Sequence, residues 1–235
     1  MSRTEDCCVP EEIPTHPSAI EHLERYRFAA KFARSKDVLD IACGAGYGSR
    51  ILLKEGNART VLGVDYSLNN IDYCHQNYKD KRESLHFEQG DICSFQLEKK
   101  VDLIVCFETI EHIERFREAL KRLFEVLNDD GILIISTPNR RITDPYVGPD
   151  TPTMDGAHKR EFTPDEFLSV VNEAGFKNIG YYGQRLQRCF SNTFLEKHYK
   201  RLFKPSRKTS AVVAEVDHRE PEYIIFLLTK SLTKR

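Results

Sequence analysis

Three side chains able to carry out acid–base chemistry lie close together in residues 107–113. The segment reads Phe-Glu-Thr-Ile-Glu-His-Ile, so Glu108, Glu111 and His112 follow directly on an apolar run. A neutral histidine suits a general base near neutral pH. Carboxylates and an imidazole are also ligands that divalent cations accept. The segment therefore predicts either abstraction of a proton from a substrate or activation of that substrate by a bound metal ion.

A further histidine, His158, begins the stretch His-Lys-Arg-Glu-Phe-Thr at residues 158–163. It follows a segment rich in proline, glycine and aspartate, which is typical of a loop. A chemical role for His158 requires the fold to bring it to His112. The alternative is that the histidines and glutamates of both stretches have ordinary structural or surface roles, with Arg160 and Glu161 as a solvated pair.

A glycine-rich turn lies upstream of these residues. Residues 38–49 form an apolar run, an acid and a turn that contains Gly44 and Gly46, and residues 61–67 form a second apolar run that ends at Asp65. Short apolar runs between turn residues are typical of buried parallel strands. Glycines let the backbone approach a ligand ahead of a helix N-terminus, and a doubly wound fold places an acid such as Asp65 on ribose hydroxyls. The pattern predicts a nucleoside-containing cofactor.

The charge beside this turn indicates which cofactor it is. The dinucleotide fingerprint asks for a third glycine or an alanine where this chain has Ser49, and Asp40 ends the strand before the turn. A pyrophosphate beside Asp40 would be repelled, whereas an ammonium or a sulfonium would be attracted. S-adenosylmethionine therefore fits better than NAD.

With these motifs the chain resembles the class I S-adenosylmethionine-dependent methyltransferases. The segments that match the family's motifs, in the family's order, are residues 38–49, 61–67, 90–92, 101–108 and 131–139. The resemblance runs from about Tyr26 to Thr229. A doubly wound domain that binds another nucleotide is the alternative.

The resemblance also implies a set of cofactor contacts. The residues it assigns to S-adenosylmethionine are Tyr26, Asp40, Ala42, Gly44, Gly46, Asp65, Tyr66, Asp91, Ile92 and Phe107. Asp91 and Ile92 would flank the adenine. Tyr26 belongs to an Arg-Tyr pair that relatives place near the amino-acid end of the cofactor, and a position in the core is equally consistent with the sequence.

Two groups within the family share the E-x-x-E-H pattern at residues 108–112. O-methyltransferases of sugars, quinone precursors and other small metabolites carry a similar pattern, and many glycan and natural-product enzymes carry a similar H-x-R-E-F-T. Enzymes that methylate the 2′-hydroxyl at the 3′ end of small RNAs hold a divalent metal with two glutamates and two histidines. Carried over by position, the metal candidates for Mg²⁺ or Mn²⁺ are Glu108, Glu111, His112 and His158.

The sequence thus predicts an S-adenosylmethionine-dependent O-methyltransferase for a small hydroxylated acceptor, such as a sugar, a quinone-type compound or a natural product. Its expected catalytic residues are His112, Glu111 and His158. A metal-dependent small-RNA 2′-O-methyltransferase and a non-catalytic, cofactor-binding regulatory subunit are the alternatives. A net charge of −1 disfavours a nucleic-acid partner, although residues 197–208 interleave aromatic and basic side chains.

Alternating strands and helices must position these residues. They predict an α/β fold with a doubly wound, mostly parallel, seven-stranded sheet and helices on both faces. Thr163, Pro164 and Glu166 form a capping box at the start of one helix. The other predicted helices and the late strands cover residues 18–35, 49–55, 69–78, 115–127, 177–184 and 222–228.

The predicted domain organisation is simple. Residues 1–17 read as a flexible leader and residues 18–235 as one methyltransferase domain, with insertions at about 140–157 and 185–220 that cover the substrate. The polar and acidic first residues do not read as a signal peptide, and no apolar run is long enough to span a membrane. The seven cysteines are expected to be reduced thiols. A cytoplasmic protein is expected. The oligomeric state stays open, with a homodimer among the alternatives.

Overall fold

A mixed β-sheet runs through the part of the chain that this computed structural model describes, which comprises residues 17–78, 84–149, 151–153, 156, 158–186, 212–217 and 219–230. The strands within those residues are β1 (Asp37–Ile41), β2 (Thr60–Asp65), β3 (Leu85–Gln89), β4 (Val101–Phe107), β5 (Leu127–Pro138), β6 (Lys177–Gln184), β7 (Ala214–Glu215) and β8 (Tyr223–Thr229). Their order across the sheet is β3-β2-β1-β4-β5-β8-β6-β7.

The strand directions confirm a doubly wound, mostly parallel sheet. Neighbours from β3 to β5 pair in parallel, whereas β8 is antiparallel to both β5 and β6, and β7 is antiparallel to β6. The late strands predicted at 177–184 and 222–228 are β6 and β8. The predicted number of seven strands is wrong, because the described residues form eight. The additional strand, β7, has two residues and is too short to show an apolar pattern.

The helices among the described residues are α1 (Pro17–Ala30), α2 (Tyr47–Lys54), α3 (Leu68–Asn77), α4 (Phe116–Val126), α5 (Arg140–Thr143) and α6 (Pro164–Glu173). Helix α1 begins at Pro17, the last residue of the predicted leader. It ends before the predicted limit because residues 31–36 form turns, with Ser35 in the left-handed region at φ 59°. Residues 1–16 and 187–211 lie outside the described residues, and with them most of the second predicted insertion.

The capping box of α6 is confirmed. The Thr163 hydroxyl accepts a hydrogen bond from the Glu166 backbone N–H at 3.3 Å, and the Glu166 carboxylate accepts one from the Thr163 N–H at 2.9 Å. Pro164 occupies the first helical turn. This cap fixes the direction in which residues 158–163 enter α6, and therefore where His158 lies relative to the sheet.

Apolar side chains pack on both faces of the sheet. On β4, Ile104 and Cys106 belong to one buried cluster, while Leu103 and Val105 belong to the other. Helices α4 and α6 cover the first face, and α1, α2 and α3 cover the second. The sheet is therefore buried on both sides by helices, and the ends of its strands are left to form a site. Among the described residues, no helix combines the length and the hydrophobicity needed to cross a bilayer.

Gly48 makes room for an aromatic ring of α1. A Cβ atom added at Gly48 would lie 2.0 Å from Cζ of Tyr26, which is buried. The Tyr26 ring also packs edge-to-face against Tyr47 and Phe107. Gly48, which matches no glycine of the dinucleotide fingerprint, is therefore explained by close packing of α1 on α2.

Gly48→Ala should lower the free energy of unfolding by about 1–3 kcal/mol, because the added methyl group displaces the Tyr26 ring. Gly148→Ala is the matched control, since its added Cβ would meet only the Thr151 hydroxyl at 3.5 Å. Chemical denaturation of both variants measures the effect. Equal stabilities of the two variants would contradict this account of Gly48.

Candidate active site

A cleft of about 410 Å³ opens where β1, β2, β3 and β4 end. The strand order reverses between β1 and β4, which is the place where open α/β sheets bind ligands. Four of the predicted cofactor residues line this cleft, together with His112. They are Ala42, Tyr66, Asp91 and Ile92. The cleft thus connects the predicted adenine side to the predicted acid–base residues.

Asp65 braces the glycine-rich turn. One carboxylate oxygen accepts a hydrogen bond from the Gly44 N–H at 2.8 Å. The other accepts from the Ser67 N–H at 2.9 Å and from the Asn70 side-chain amide at 3.0 Å. Asp65 therefore joins the ends of β1 and β2 and the start of α3. Its contact with a ribose stays a prediction.

Three backbone positions in the left-handed region turn the chain from β1 into α2. They are Ala42 at φ 58°, Gly44 at φ 55° and Gly46 at φ 78°. A Cβ atom at Gly46 would also lie 2.6 Å from the Cys74 sulfur. The glycine positions are readable from the sequence, whereas the strained conformation of Ala42 is not.

Asp40 lies fully buried beneath this turn. Its carboxylate accepts hydrogen bonds from the Ser49 hydroxyl at 2.6 Å and from the Tyr26 hydroxyl at 3.0 Å. Burial raises the pKa of Asp40 to about 7, because the two hydrogen bonds offset the lost hydration only in part. Tyr26 and Phe107 are core residues in this structure, and their contacts with the cofactor stay predictions.

The structure brings Glu111, His112 and His158 together. One ligand atom of each lies within 4.8 Å of the others, and the two imidazole rings meet edge-to-face. The Glu111 carbonyl accepts hydrogen bonds from the Lys159 and Arg160 N–H groups at 2.9 and 3.1 Å, which holds the segment after His158 against the end of β4. We call these three residues the acid–base cluster. Their chemical roles stay predictions.

The Glu111 side chain is fully buried. One carboxyl oxygen accepts a hydrogen bond from the Thr137 hydroxyl at 3.1 Å, and the other has no hydrogen-bond partner among the described residues. Burial, followed by the neighbouring Glu108 carboxylate, raises the pKa of Glu111 well above its usual range. An unsatisfied buried oxygen is costly, so this atom is suited to a proton, a ligand or a cation.

Glu108 is not part of the acid–base cluster. Its backbone is left-handed at φ 48°, and its carboxylate accepts a hydrogen bond from the Ser136 hydroxyl at 2.6 Å. The same carboxylate lies 3.9 Å from the guanidinium of Arg25. Of the four metal candidates predicted from the sequence, three lie together among the described residues, whereas Glu108 faces other partners.

Sequence reasoning missed a carboxylate that contacts His158. A solvated pair of Arg160 and Glu161 was one alternative from the sequence, but the Glu161 side chain is only 4% exposed. One of its oxygens lies 2.6 Å from Nδ1 of His158, and the other accepts a hydrogen bond from the Thr143 hydroxyl. The sequence signal for this contact was the spacing of three residues between His158 and Glu161. That spacing indicates a contact only once the segment is known to be buried.

Sequence reasoning also missed a polar network that joins α1 to β6 and β8. Arg25 is 1% exposed, donates to the Gln184 side chain at 2.7 Å and lies over the Tyr223 ring. Arg185 pairs with Glu21 and, at 2.8 Å, with Glu222. This network borders Glu108 and therefore fixes α1 beside the end of β4.

Asp40→Asn should flatten the dependence of stability on pH between about pH 4 and about pH 7. Folded Asp40 has a pKa of about 7, whereas an aspartate in the unfolded chain has a pKa of about 4. As the pH rises through this window the unfolded state loses its proton first, so the free energy of unfolding falls. Chemical denaturation across this pH range measures the slope.

The exposed Asp72 of α3 supplies the control, because Asp72→Asn should keep the wild-type slope. An Asp40→Asn protein that loses as much stability as the wild type over the same window would contradict the raised pKa of Asp40.

Comparison with known proteins identifies the family. The methyltransferase-domain profile matches residues 33–203. A protein of Mycobacterium tuberculosis described as a probable S-adenosylmethionine-dependent methyltransferase is 31% identical over 171 residues, which cover 71% of this chain and 59% of that protein. A ubiquinone biosynthesis O-methyltransferase of Rickettsia canadensis is 25% identical over 175 residues, with 71% and 68% covered. The matched region thus spans about three-fifths of the mycobacterial relative.

Solved structures share the fold. A methyltransferase from Mesorhizobium loti that depends on S-adenosylmethionine superposes with a TM-score of 0.62 at 15% identity, covering 91% of this chain and 99% of that one. A methyltransferase from Thermotoga maritima gives a TM-score of 0.65 at 15% identity, covering 94% of both chains. Sequence motifs, strand order and family match agree, and the chain belongs to the class I S-adenosylmethionine-dependent methyltransferases.

Proposed function

We propose that this protein transfers the methyl group of S-adenosylmethionine to a hydroxyl oxygen of a small acceptor. The observation that carries the proposal is the position of the acid–base cluster: His112 lines the same cleft as Ala42, Tyr66, Asp91 and Ile92. In the proposed reaction His112, which lines this cleft, takes the proton of the acceptor. The similarity to a ubiquinone biosynthesis O-methyltransferase supports oxygen as the methyl acceptor.

The residues of the cleft fit the cofactor. Gly44 and Gly46 are both left-handed and shape the turn after β1, and Asp40, whose ionised form would attract a cationic cofactor, lies buried beneath this turn. In the proposed complex Asp65 contacts the ribose hydroxyls, while Asp91 and Ile92 flank the adenine. The remaining proposed contacts with the cofactor are Tyr26, Ala42, Tyr66 and Phe107.

The chemistry asks the protein chiefly to orient the acceptor and to take its proton. The bound cofactor supplies an electrophilic methyl group; the acceptor oxygen forms the new C–O bond as the C–S bond breaks. His112 holds the acceptor hydroxyl, and the pair of His112 and His158 receives its proton. Glu111, buried behind them, keeps an oxygen available for hydrogen bonding to an imidazole.

A divalent cation is the second means of activating the acceptor at this site. The unsatisfied Glu111 oxygen and the imidazoles of His112 and His158 would supply its ligands, and Mg²⁺ or Mn²⁺ would lower the pKa of a bound hydroxyl. The same group supports the small-RNA 2′-O-methyltransferase as the second candidate function. The net charge of −1 gives little attraction to a polyanion, which favours the small acceptor.

His112→Ala should lower turnover by about 10²–10⁴-fold, since the general base and the hydrogen bond to the acceptor are lost. The affinity for S-adenosylmethionine, measured by calorimetry, should stay near that of the wild type. His86→Ala is the control, because His86 is exposed on β3 at the far edge of the sheet. Near wild-type turnover of His112→Ala would end this assignment.

Transfer of labelled methyl groups from S-adenosylmethionine should distinguish the two candidate functions. The acceptor panel contains diphenols, simple glycosides and a small RNA with a free 3′ end, each assayed with a chelator and with added Mg²⁺ or Mn²⁺. We expect methylation of a small hydroxylated compound that survives chelation. Metal-dependent methylation of RNA that is lost in both Glu111→Ala and His158→Ala would instead establish the RNA function.

A further inference from the structure

We propose that Glu161 is a positioning residue that fixes the tautomer of His158 and makes Nε2 the basic nitrogen of that ring. The proposal rests on the proposed function, in which His158 shares the acceptor proton with His112. It assigns a task to a buried carboxylate that lies outside both the predicted metal set and the predicted catalytic set.

The contacts of Glu161 are the basis for the proposed tautomer. Its side chain is 4% exposed, with one oxygen 2.6 Å from Nδ1 of His158 and the other accepting a hydrogen bond from the Thr143 hydroxyl. In the proposal Glu161 accepts from Nδ1 as it accepts from Thr143, and Nδ1 therefore carries the proton of this contact. In a neutral imidazole the lone pair is then on Nε2, because only one of the two ring nitrogens is protonated.

Backbone hydrogen bonds on both sides hold Glu161 in place. Before it in the chain, the Lys159 and Arg160 N–H groups donate to the Glu111 carbonyl. After it, the fully buried Phe162 accepts a hydrogen bond from the Arg140 N–H at 2.9 Å through its carbonyl. Glu161 thus lies in a segment attached both to the acid–base cluster and to α5, which gives the carboxylate a defined position relative to His158.

This arrangement distinguishes the two histidines of the cluster. His112 is exposed on the turn Ile110–His112 after β4, whereas His158 is half-buried and contacts a carboxylate. When the proton of the acceptor reaches Nε2 of His158, the Nδ1 proton stays on the ring and remains hydrogen-bonded to Glu161. The positive charge that forms on the imidazole then lies beside a negative one, so both the orientation of the ring and the proton transfer depend on Glu161.

The tautomer can be observed by ¹⁵N NMR of the full-length protein labelled at histidine, at a pH where the imidazoles are neutral. We expect Nδ1 of His158 to be protonated and Nε2 to carry the lone pair. Glu161→Gln should reduce or invert this preference, because an amide can donate to Nδ1 as well as accept from it. Glu161→Asp should retain the preference, and the His112 resonances should keep the wild-type tautomer in both variants.

Kinetics supply the second readout. With the best acceptor of the labelled-methyl assay, Glu161→Gln should lower kcat by about 10–100-fold and leave the affinity for S-adenosylmethionine unchanged. Glu173→Gln, at an exposed carboxylate of α6, is the matched control and should keep the wild-type kcat. Thr143→Val removes the hydroxyl that donates a hydrogen bond to Glu161, and His158 should keep its Nδ1–H tautomer in this variant.

The outcomes separate this inference from the proposed function. A wild-type His158 protonated on Nε2, or a Glu161→Gln protein with both the wild-type tautomer and the wild-type kcat, would overturn the role of Glu161. If Glu161→Gln does not fold, the His158 tautomer in the wild type and in Glu161→Asp tests the role of Glu161. The NMR measurement needs no acceptor, so the absence of methylation of hydroxylated compounds would count against the proposed function alone.

Discussion

Burial of carboxylates at the carboxyl-terminal edge of the sheet is the constraint on which the rest of the site depends. Asp40, Glu111 and Glu161 are nearly or fully buried, and a buried carboxylate must find hydrogen-bond donors or stay protonated. Tyr26 and Ser49 donate to Asp40, and the Thr143 hydroxyl donates to Glu161, which also contacts His158. These interactions attach α1 and α2 to β1, and the loop before α6 to α5.

Much of the fold and of the cofactor side could be predicted from the sequence because the signals are local. Apolar runs bounded by turn residues predicted β1 and β2, and the capping box at Thr163 predicted the start of α6. The glycine-rich sequence predicted a turn between β1 and α2, and Gly44 and Gly46 are left-handed there. Each of these features depends on residues within a few positions of one another, so a single sequence contains the information.

The rest could not be predicted because it depends on tertiary packing. Nothing local marks Ala42 or Glu108 as left-handed, and the φ of 48° at Glu108 helps to explain why this side chain faces Ser136 rather than the cluster. The sequence left a solvated pair of Arg160 and Glu161 open, and only tertiary packing buries Glu161 beside His158. The strand β7 could not be predicted for a different reason, because two residues are too few to show the alternation of apolar and polar side chains that marks a strand.

Charge balance links the buried carboxylates to the proposed reaction. Asp40, with a pKa of about 7, and Glu111, with a pKa held well above its usual range, are both costly to ionise in the free protein. In the proposed complex the sulfonium of S-adenosylmethionine would lie in the cleft as a cation and would lower that cost, whereas the thioether of the product is neutral. Methyl transfer would then remove the charge that favours ionisation of these groups. In the proposed complex the same buried carboxylates would therefore favour binding of S-adenosylmethionine over binding of its product.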